Sequence, residues 1–340
     1  MISLFDSAHW IHSPVIGGPR TTAPCPYFRK SFILDKPVRE AQLHITSLGL
    51  YEAEVNGQRA GDHVFAPGWT NYKVRVPFQT LDVTPLLTDG ENVLGVILAD
   101  GWYTGYVAWL SRQQYGDRPM LLAALEITFD DGTKTQIVSD STWKTQTGPI
   151  LASDMLQGES YDARLELGAW SSTGYADSSW STAIEAATPE IALVQSEAPP
   201  VRRIEELSPI QKTPREAWPD WYDQFDFGQN FSGRIRIKIE GPRGTTITIK
   251  YAEILEPNGQ LYTENLRSAT VTDYYTCKGD GVEVFEPRFT FHGFRYVSIS
   301  GLAKGKIHEV TGIVLHSDTK PTGYFSCSHP MLNQLQHNIV

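Results

Sequence analysis

The fold is decided by two neighbouring stretches of the sequence, Arg234-Ile235-Arg236-Ile237-Lys238-Ile239 and Thr246-Ile247-Thr248-Ile249-Lys250-Tyr251. In both stretches apolar residues alternate with polar ones, and this period of two places the apolar side chains on one face of a β-strand. Between them, Gly241-Pro242-Arg243-Gly244 is a turn sequence. The stretches therefore predict two strands, each with one face in a core and the other in solvent.

Short runs of β-branched and aromatic residues, separated by turn signals, continue this pattern through the rest of the chain. Asn56-Gly57 predicts a hairpin turn because both residues tolerate a positive φ, and Asp130-Asp131-Gly132 predicts a second one. Spacings of about 8–12 residues between strands favour sandwiches or barrels. The further predicted strands are Tyr27–Leu34, Glu40–Ser47, Tyr51–Val55, Val74–Asp82, Asn92–Ala99, Leu121–Phe129, Thr135–Val138 and, broken near His292, Phe285–Ile299.

These patterns predict an all-β chain of two consecutive β-sandwiches, jelly-roll-like, with a short C-terminal helix. We expect an unassigned lead at 1–26, the first sandwich at 27–190, a Pro-rich linker at 191–220 and the second sandwich at 221–317. Residues 318–340 are predicted to begin a linker and a helix, with apolar residues at 331, 332, 335 and 339 and Ser328 as its N-cap. The apolar pattern still runs at Val340, so the chain looks interrupted there.

Composition excludes several classes of protein. The 340 residues include 29 basic and 39 acidic ones, a net charge of −10, which argues against nucleic acid as a partner. No apolar run approaches the roughly 18 residues of a membrane span, so no membrane association is expected. Because no secretory signal is visible and Cys25, Cys277 and Cys327 form no disulfide pattern, we predict free thiols and a cytoplasmic protein.

Two aromatic, loop-like segments carry the best candidate for a binding site. Ala66–Tyr72 and Asp100–Tyr106 each place Trp and Tyr beside an amide or a carboxylate. Sugars are bound by that mixture, since an apolar ring face stacks on an aromatic while hydroxyls take polar hydrogen bonds. The alternative is that these aromatics fold back onto the sandwich. The candidate sugar-binding residues are Trp69, Asn71, Tyr72, Asp100, Trp102 and Tyr103.

The same segments, with others further along, resemble the bacterial α-L-rhamnosidases of glycoside hydrolase family 78. The likeness runs from about residue 27 to the end of the chain and includes motifs of the family's N-terminal β-sandwich and of its concanavalin-like domain. The motifs are Tyr51–Gly57, Ala66–Tyr72, Asp100–Tyr103, Gly158–Arg164, Phe227–Gly233, Tyr262–Arg267, Phe289–Tyr296 and Cys327–Asn333.

The resemblance implies that a full-length relative hydrolyses terminal α-L-rhamnose from rhamnosides with inversion. In the family the catalytic acid and base lie in an (α/α)6 barrel that follows this region, so no catalytic residue is assigned here. The expected partners are rhamnose-containing glycosides and that missing catalytic domain, and the chain is predicted to be inactive alone.

No cofactor is assigned with certainty; calcium is the one candidate, because some relatives bind rhamnose through it. A calcium site needs clustered oxygen ligands. The candidates are Asp100, Asn71, Glu159 and Asp162, although Asp162 could simply pair with Arg164.

Two other hypotheses stay open from the sequence. One is a self-standing rhamnose-binding protein that has no catalytic domain. The other is an active enzyme whose chemistry lies within the β domains, with Glu253 after a predicted strand as an example of a glycosidase carboxylate. Among 39 acidic residues, no pair can be chosen from the sequence.

Overall fold

The computed structural model describes residues 4–339, and strands dominate it. Two α-helices, α1 (Gly101–Thr104) and α2 (Pro330–Ile339), accompany short 3-10 turns at Thr84–Leu86, Ala163–Leu165, Arg215–Ala217 and Glu264–Leu266. The strands are β1 (Ile11–His12), β2 (Pro26–Leu34), β3 (Val38–Leu48), β4 (Leu50–Val55), β5 (Gln58–Arg59), β6 (Arg75–Asp82), β7 (Gly90–Ala99), β8 (Met120–Phe129), β9 (Lys134–Val138), β10 (Lys144–Thr147), β11 (Ile150–Asp154), β12 (Gly158–Asp162), β13 (Ser181–Thr182), β14 (Ile184–Glu185), β15 (Ala192–Gln195), β16 (Val201–Leu207), β17 (Gln211–Thr213), β18 (Asp223–Glu240), β19 (Thr246–Ala252), β20 (Thr272–Thr276), β21 (Val282–Phe285), β22 (His292–Ser300) and β23 (Lys306–Ser317).

The first unit is a sandwich of two sheets. One sheet has the order β14-β1-β8-β3-β6-β15, with β9 beside β8, and the other has the order β13-β10-β2-β7-β4-β5. Inward residues such as Leu43 and Leu125 from one sheet and Phe28 and Val96 from the other form one apolar core. Trp143 lies fully buried in it and donates its indole N–H to the Val138 carbonyl at 2.8 Å.

The predicted strands of this unit are confirmed to within about two residues, and the all-β fold is confirmed with them. Asn56-Gly57 makes the turn between β4 and β5, where Asn56 has φ 52° and Gly57 φ 80°. The second predicted hairpin joins β8 and β9. The period of two succeeds here because each sheet has one face on the core and one face outside.

The second unit is built on one ten-stranded sheet, ordered β11-β12-β20-β19-β22-β18-β23-β16, with β17 and β21 also paired to β18. Its inward residues form a single apolar cluster, which is the core of the second unit. The isoleucines of 234–239 and 246–251, the two alternating stretches, are fully buried in that core. β18 and β19 do not pair with each other, because β22 lies between them.

Arg234 departs from the predicted exposed face. Its side chain is 1% exposed, and its Nη2 lies 2.8 Å from Glu286 Oε1. Nη1 also donates to the Arg288 carbonyl at 2.6 Å. These acceptors, which come from a distant loop, allow a charged side chain to be buried at this position.

Residues 191–220, for which the sequence predicts a Pro-rich linker, contain three short strands. β15 pairs in parallel with β6 of the first sandwich, whereas β16 pairs with β23 of the second unit. The prolines of this segment all lie between the strands, where no ladder N–H is required. The segment is therefore hydrogen-bonded to both units.

A hairpin from the first half of the chain joins the ten-stranded sheet of the second unit. β11 and β12, within 150–162, pair with each other, and β12 runs parallel to β20. An apolar cluster continues this junction, since Tyr27 and Phe65 of the first unit pack with Phe289 and Ile313 of the second. The Arg288 guanidinium also contacts Glu52 Oε2 at 2.8 Å. The two units are thus joined by a shared sheet, a shared core and an ion pair.

The predicted C-terminal helix is present as α2, which begins at Pro330. The Asn333 side chain accepts the Cys327 N–H at 2.9 Å and donates to the Cys327 carbonyl at 2.8 Å, which ties the first turn to the preceding chain. None of its described side chains is buried. Among residues 4–339, no helix is both long and apolar enough to cross a membrane.

Candidate functional site

The two aromatic segments singled out in the sequence lie against each other. The rings of Trp69 and Trp102 stack with centroids 5.9 Å apart and planes 10° from parallel. Tyr72 and Tyr103 make an edge contact, with centroids 5.2 Å apart. The structure therefore collects four of the six candidate sugar-binding residues into one aromatic group.

Local backbone geometry places the second segment. It follows β7 as the one-turn helix α1. Its first residue, Gly101, has φ +51°, and a Cβ at that position would lie 2.7 Å from Leu50 Cγ. Only glycine therefore fits there. The Thr104 hydroxyl donates to Asp100 Oδ1 at 2.7 Å. The sequence predicts a loop at these residues, and the short helix turns Trp102 toward Trp69.

Local hydrogen bonds also place the first segment. The Asn71 carbonyl accepts the N–H groups of Val74 and Arg75, at 2.9 and 3.1 Å, which closes a turn before β6. The Tyr72 hydroxyl donates to the Gly68 carbonyl at 3.0 Å. The loop that carries Trp69 is thereby fixed at both of its ends.

Trp69 lines a cleft of about 780 Å³ between the first sandwich and the segment that leads to β16. Residues 63–70, β6 and residues 194–201 contribute most of the lining, and the Val64 N–H donates to the Val201 carbonyl at 2.8 Å. Gln79 lines the cleft and accepts a 2.8 Å hydrogen bond from the Tyr51 hydroxyl. Burial lowers the pKa of His63, which also lines the cleft, and this favours the neutral imidazole. The lining combines the exposed indole with polar groups, and it includes two charged side chains, Arg75 and Glu197.

The six candidate sugar-binding residues differ in accessibility. Trp69 is 55% exposed, Asn71 is exposed and Trp102 is half-buried. Tyr72 and Tyr103 are buried, and Tyr72 also packs on Tyr115. Trp69 is the candidate side chain that both faces solvent and lines the cleft, whereas the two tyrosines lie in the apolar cluster on which Trp102 packs.

Asp100, a candidate for both sugar and calcium, is buried in an ion-pair cluster. Arg112 Nη2 contacts Asp100 Oδ2 at 2.6 Å, and Nη1 lies 3.8 Å from Asp154 Oδ2. Burial raises the pKa of Asp154, and backbone N–H groups such as that of Tyr106 oppose the rise. A guanidinium thus occupies the position at which a cation would be needed.

The other carboxylates proposed for calcium are also engaged. Asp162 accepts from Arg164 Nε at 2.9 Å and from Nη2 at 2.7 Å, which is the simple pair that the sequence allowed. Glu159 Oε2 accepts the N–H groups of Arg288 and Phe289, both at 3.0 Å. Within residues 4–339, no three His, Cys, Asp or Glu side chains are grouped to hold a metal ion. The calcium prediction therefore stays without a ligand cluster in the described part of the chain.

Glu159 is a buried carboxyl whose pKa is raised. Burial raises its pKa to about 7, the Phe289 N–H opposes the rise, and nearby Asp273 adds to it. Its Oε1 is buried without a hydrogen-bond partner among the described residues. The carboxyl consequently lies between its neutral and charged forms at physiological pH.

Residues 194–201 of the lining were not predicted as part of a site. They lie in the segment predicted as a linker, and the pairing of β15 with β6 brings them to the cleft. No local sequence pattern marks such residues. The sequence pointed to this cleft only through the aromatic segment that contains Trp69.

Comparisons with known proteins agree with this architecture. Residues 36–205 match the α-L-rhamnosidase N-terminal domain, and residues 223–316 match the bacterial α-L-rhamnosidase concanavalin-like domain. An α-L-rhamnosidase of Streptomyces avermitilis is 46% identical over 309 residues, which are 90% of this chain and 30% of that protein.

Solved structures give the same result. The structure of native α-L-rhamnosidase from Aspergillus terreus superposes with a TM-score of 0.92 at 42% identity, over 98% of this chain and 39% of that one. The Streptomyces avermitilis enzyme complexed with L-rhamnose superposes with a TM-score of 0.89 at 43% identity, over 94% and 31%. This chain spans about a third of the length of these relatives. The chain belongs to the α-L-rhamnosidase N-terminal domain family, and its second unit is a bacterial α-L-rhamnosidase concanavalin-like domain.

Proposed function

We propose that this chain is the non-catalytic β-strand region of an α-L-rhamnosidase, and that the whole protein hydrolyses terminal α-L-rhamnose from rhamnose-containing glycosides. The observation that carries the proposal is the match of both domains, in order and in one chain, to relatives that are about three times as long. The catalytic domain of that enzyme is the proposed partner of this region.

The contacts of four buried carboxylates support a non-catalytic role. Inverting glycosidases need an acid and a base about 6.5–9.5 Å apart on either side of the bond. Asp100, Asp154 and Asp162 are each held by an arginine or by backbone N–H groups, and Glu159 is buried beside Arg288 and Phe289. None of these four lines the cleft that holds Trp69; the carboxylate in its lining is Glu197.

Turnover of an aryl α-L-rhamnoside tests the proposal. The purified 340-residue chain should give no hydrolysis above background, and fusion to the part of the Streptomyces avermitilis α-L-rhamnosidase that lies outside the matched region should give an active protein. Turnover by the chain alone that disappears when one of its own carboxylates is replaced would contradict the non-catalytic role.

A contribution to sugar binding is the second part of the proposal. Trp69 offers an exposed indole face in a cleft of about 780 Å³, and polar side chains such as Gln79 and Glu197 line the same cleft, a combination that suits a sugar ring. A monosaccharide has few apolar atoms, so the dissociation constant should be roughly micromolar to millimolar.

Titration calorimetry with L-rhamnose tests this part separately. Trp69→Ala should weaken binding by about tenfold, whereas Trp109→Ala, at a tryptophan that is 79% exposed and outside the cleft, should leave it unchanged. Equal affinity in the parent and in Trp69→Ala would remove the sugar role from the cleft and would leave the non-catalytic role as it stands.

A further inference from the structure

A second pocket, of about 250 Å³, lies on the second unit and shares no lining residue with the cleft at Trp69. We call it the Trp218 pocket. It is lined by Trp218, Gln224, Asp226 and Tyr296 together with residues of β17 and the loop after β19. Its volume is below the roughly 300–1,000 Å³ of sites for drug-sized ligands, so it suits one small ring.

Two polar atoms of the lining are buried without a partner. Gln224 is 6% exposed, and its Nε2 donates to the Gly259 carbonyl at 3.2 Å, but its Oε1 accepts no hydrogen bond among residues 4–339. The indole Nε1 of Trp218 likewise has no acceptor within that range. Buried polar atoms are normally hydrogen-bonded, so an unpaired acceptor and an unpaired donor in one pocket call for a ligand.

The chemistry of these two atoms selects the ligand. The amide oxygen of Gln224 needs a donor, and the N–H of Trp218 needs an acceptor. A hydroxyl group supplies both, and neighbouring hydroxyls on one ring supply them in fixed geometry. The aromatic rings of Trp218 and Tyr296 provide apolar surface beside them.

The charges around the pocket favour a neutral ligand. Asp226 is paired with Arg295 through two hydrogen bonds, of 2.7 and 2.9 Å. The Arg295 guanidinium also lies 5.0 Å from the centre of the Tyr296 ring. Because the pair is balanced, the pocket has no net charge to attract an anion or a cation.

The indole of Trp218 is held in place by its neighbours. It stacks on Tyr222 with centroids 5.2 Å apart and planes 11° from parallel. Its edge passes Gly259, where an added Cβ would lie 3.2 Å from Trp218 Cη2. The donor is thus fixed before a ligand arrives, which reduces the entropy lost on binding.

We propose that the Trp218 pocket binds a single neutral sugar ring, whose hydroxyls accept from Trp218 Nε1 and donate to Gln224 Oε1. This site is separate from the cleft at Trp69 and does not rest on the function proposed above. The second unit is then a carbohydrate-binding surface in its own right.

Saturation-transfer NMR and titration calorimetry on the 340-residue chain test the proposal, with methyl α-L-rhamnoside, D-galactose and D-glucose as neutral probes and acetate as an anionic one. The measurements use Trp69→Ala, so that the cleft does not contribute. At least one sugar should bind with a roughly millimolar dissociation constant, and acetate should not bind.

Two substitutions locate the binding. Gln224→Leu removes the acceptor at similar volume, and Trp218→Phe removes the N–H but keeps an aromatic ring; each should weaken binding about five- to tenfold, the size of one hydrogen bond. Trp221→Phe is the matched control, because Trp221 is 63% exposed and does not line the pocket. Absence of saturable binding to every sugar, or binding that survives both substitutions in folded protein, overturns the proposal. If Gln224→Leu does not fold, Trp218→Phe alone decides.

Discussion

Replacement of Glu159 by glutamine should remove a specific pH dependence of stability. The carboxyl lies on β12, at the junction of the two units, with Oε2 on the N–H groups of Arg288 and Phe289 and with Oε1 unpaired. Burial is the main reason that its pKa rises to about 7, with Asp273 adding to the rise. Glutamine keeps the shape and an acceptor oxygen but cannot ionise.

The sign and size follow from the two pKa values. In the unfolded chain the pKa of Glu is about 4.3, so the folded state holds the proton more tightly. The resulting stability is fully present below about pH 4.3 and is lost as the pH rises through about 7. Between pH 5 and pH 8, this single group should lower the free energy of unfolding by about 2.5 kcal/mol.

Urea denaturation of the wild type and Glu159→Gln at pH 5, 6, 7 and 8 measures this effect. The difference in unfolding free energy between the two proteins should change by about 2.5 kcal/mol in favour of the variant as the pH rises, because other titrating groups cancel. Glu91→Gln, at an exposed position of β7, should follow the wild-type profile. A wild-type-minus-variant difference that is constant from pH 5 to pH 8 would refute the buried, raised-pKa assignment.

Three further predictions concern packing and are checked by thermal or urea unfolding. Trp143→Ala should cost about 3–5 kcal/mol, because it empties a fully buried site between the two sheets of the first sandwich; a loss below about 1 kcal/mol would contradict that position. Gly158→Ala should destabilise strongly, since φ is +108° and the new Cβ would lie 2.1 Å from the Thr272 carbonyl oxygen; a wild-type melting temperature would show that β12 and β20 are not paired as described. Trp102→Ala should lower stability more than Trp69→Ala, because Trp102 packs on two apolar clusters whereas Trp69 is 55% exposed. A larger loss of stability in Trp69→Ala would show that Trp69, and not Trp102, is the ring that packs on the core.

Much of the fold was predictable because local chemistry determines it. The alternation in 234–239 and 246–251 predicts strands with buried isoleucines, and these are fully buried. Asn56-Gly57 predicts a turn because its backbone conformation requires positive φ, and both residues have it. The family resemblance is likewise a property of the sequence, since it depends on motifs and their order along the chain.

Long-range pairing was not predictable in the same way. A period of two shows which face of a strand is buried, but it does not show which strand lies beside it, because the ladder joins backbone groups that are the same in every residue. Only the tertiary structure shows that β22 lies between β18 and β19. It also shows that 150–162 pair into the ten-stranded sheet of the second unit. Arg234 is buried for the same reason, since its acceptors at 286 and 288 are distant in sequence.

The sequence by itself determined that the chain is all-β, where the long strands of the first sandwich lie to within about two residues, and which aromatic residues to suspect. Only the tertiary structure decided that Trp69 faces a cleft while Tyr72 and Tyr103 are buried, and that Trp218 and Gln224 meet in a second pocket. The physical reason is that strand formation follows from the residues of the strand itself. Accessibility follows from what distant segments of the chain place on top of a side chain.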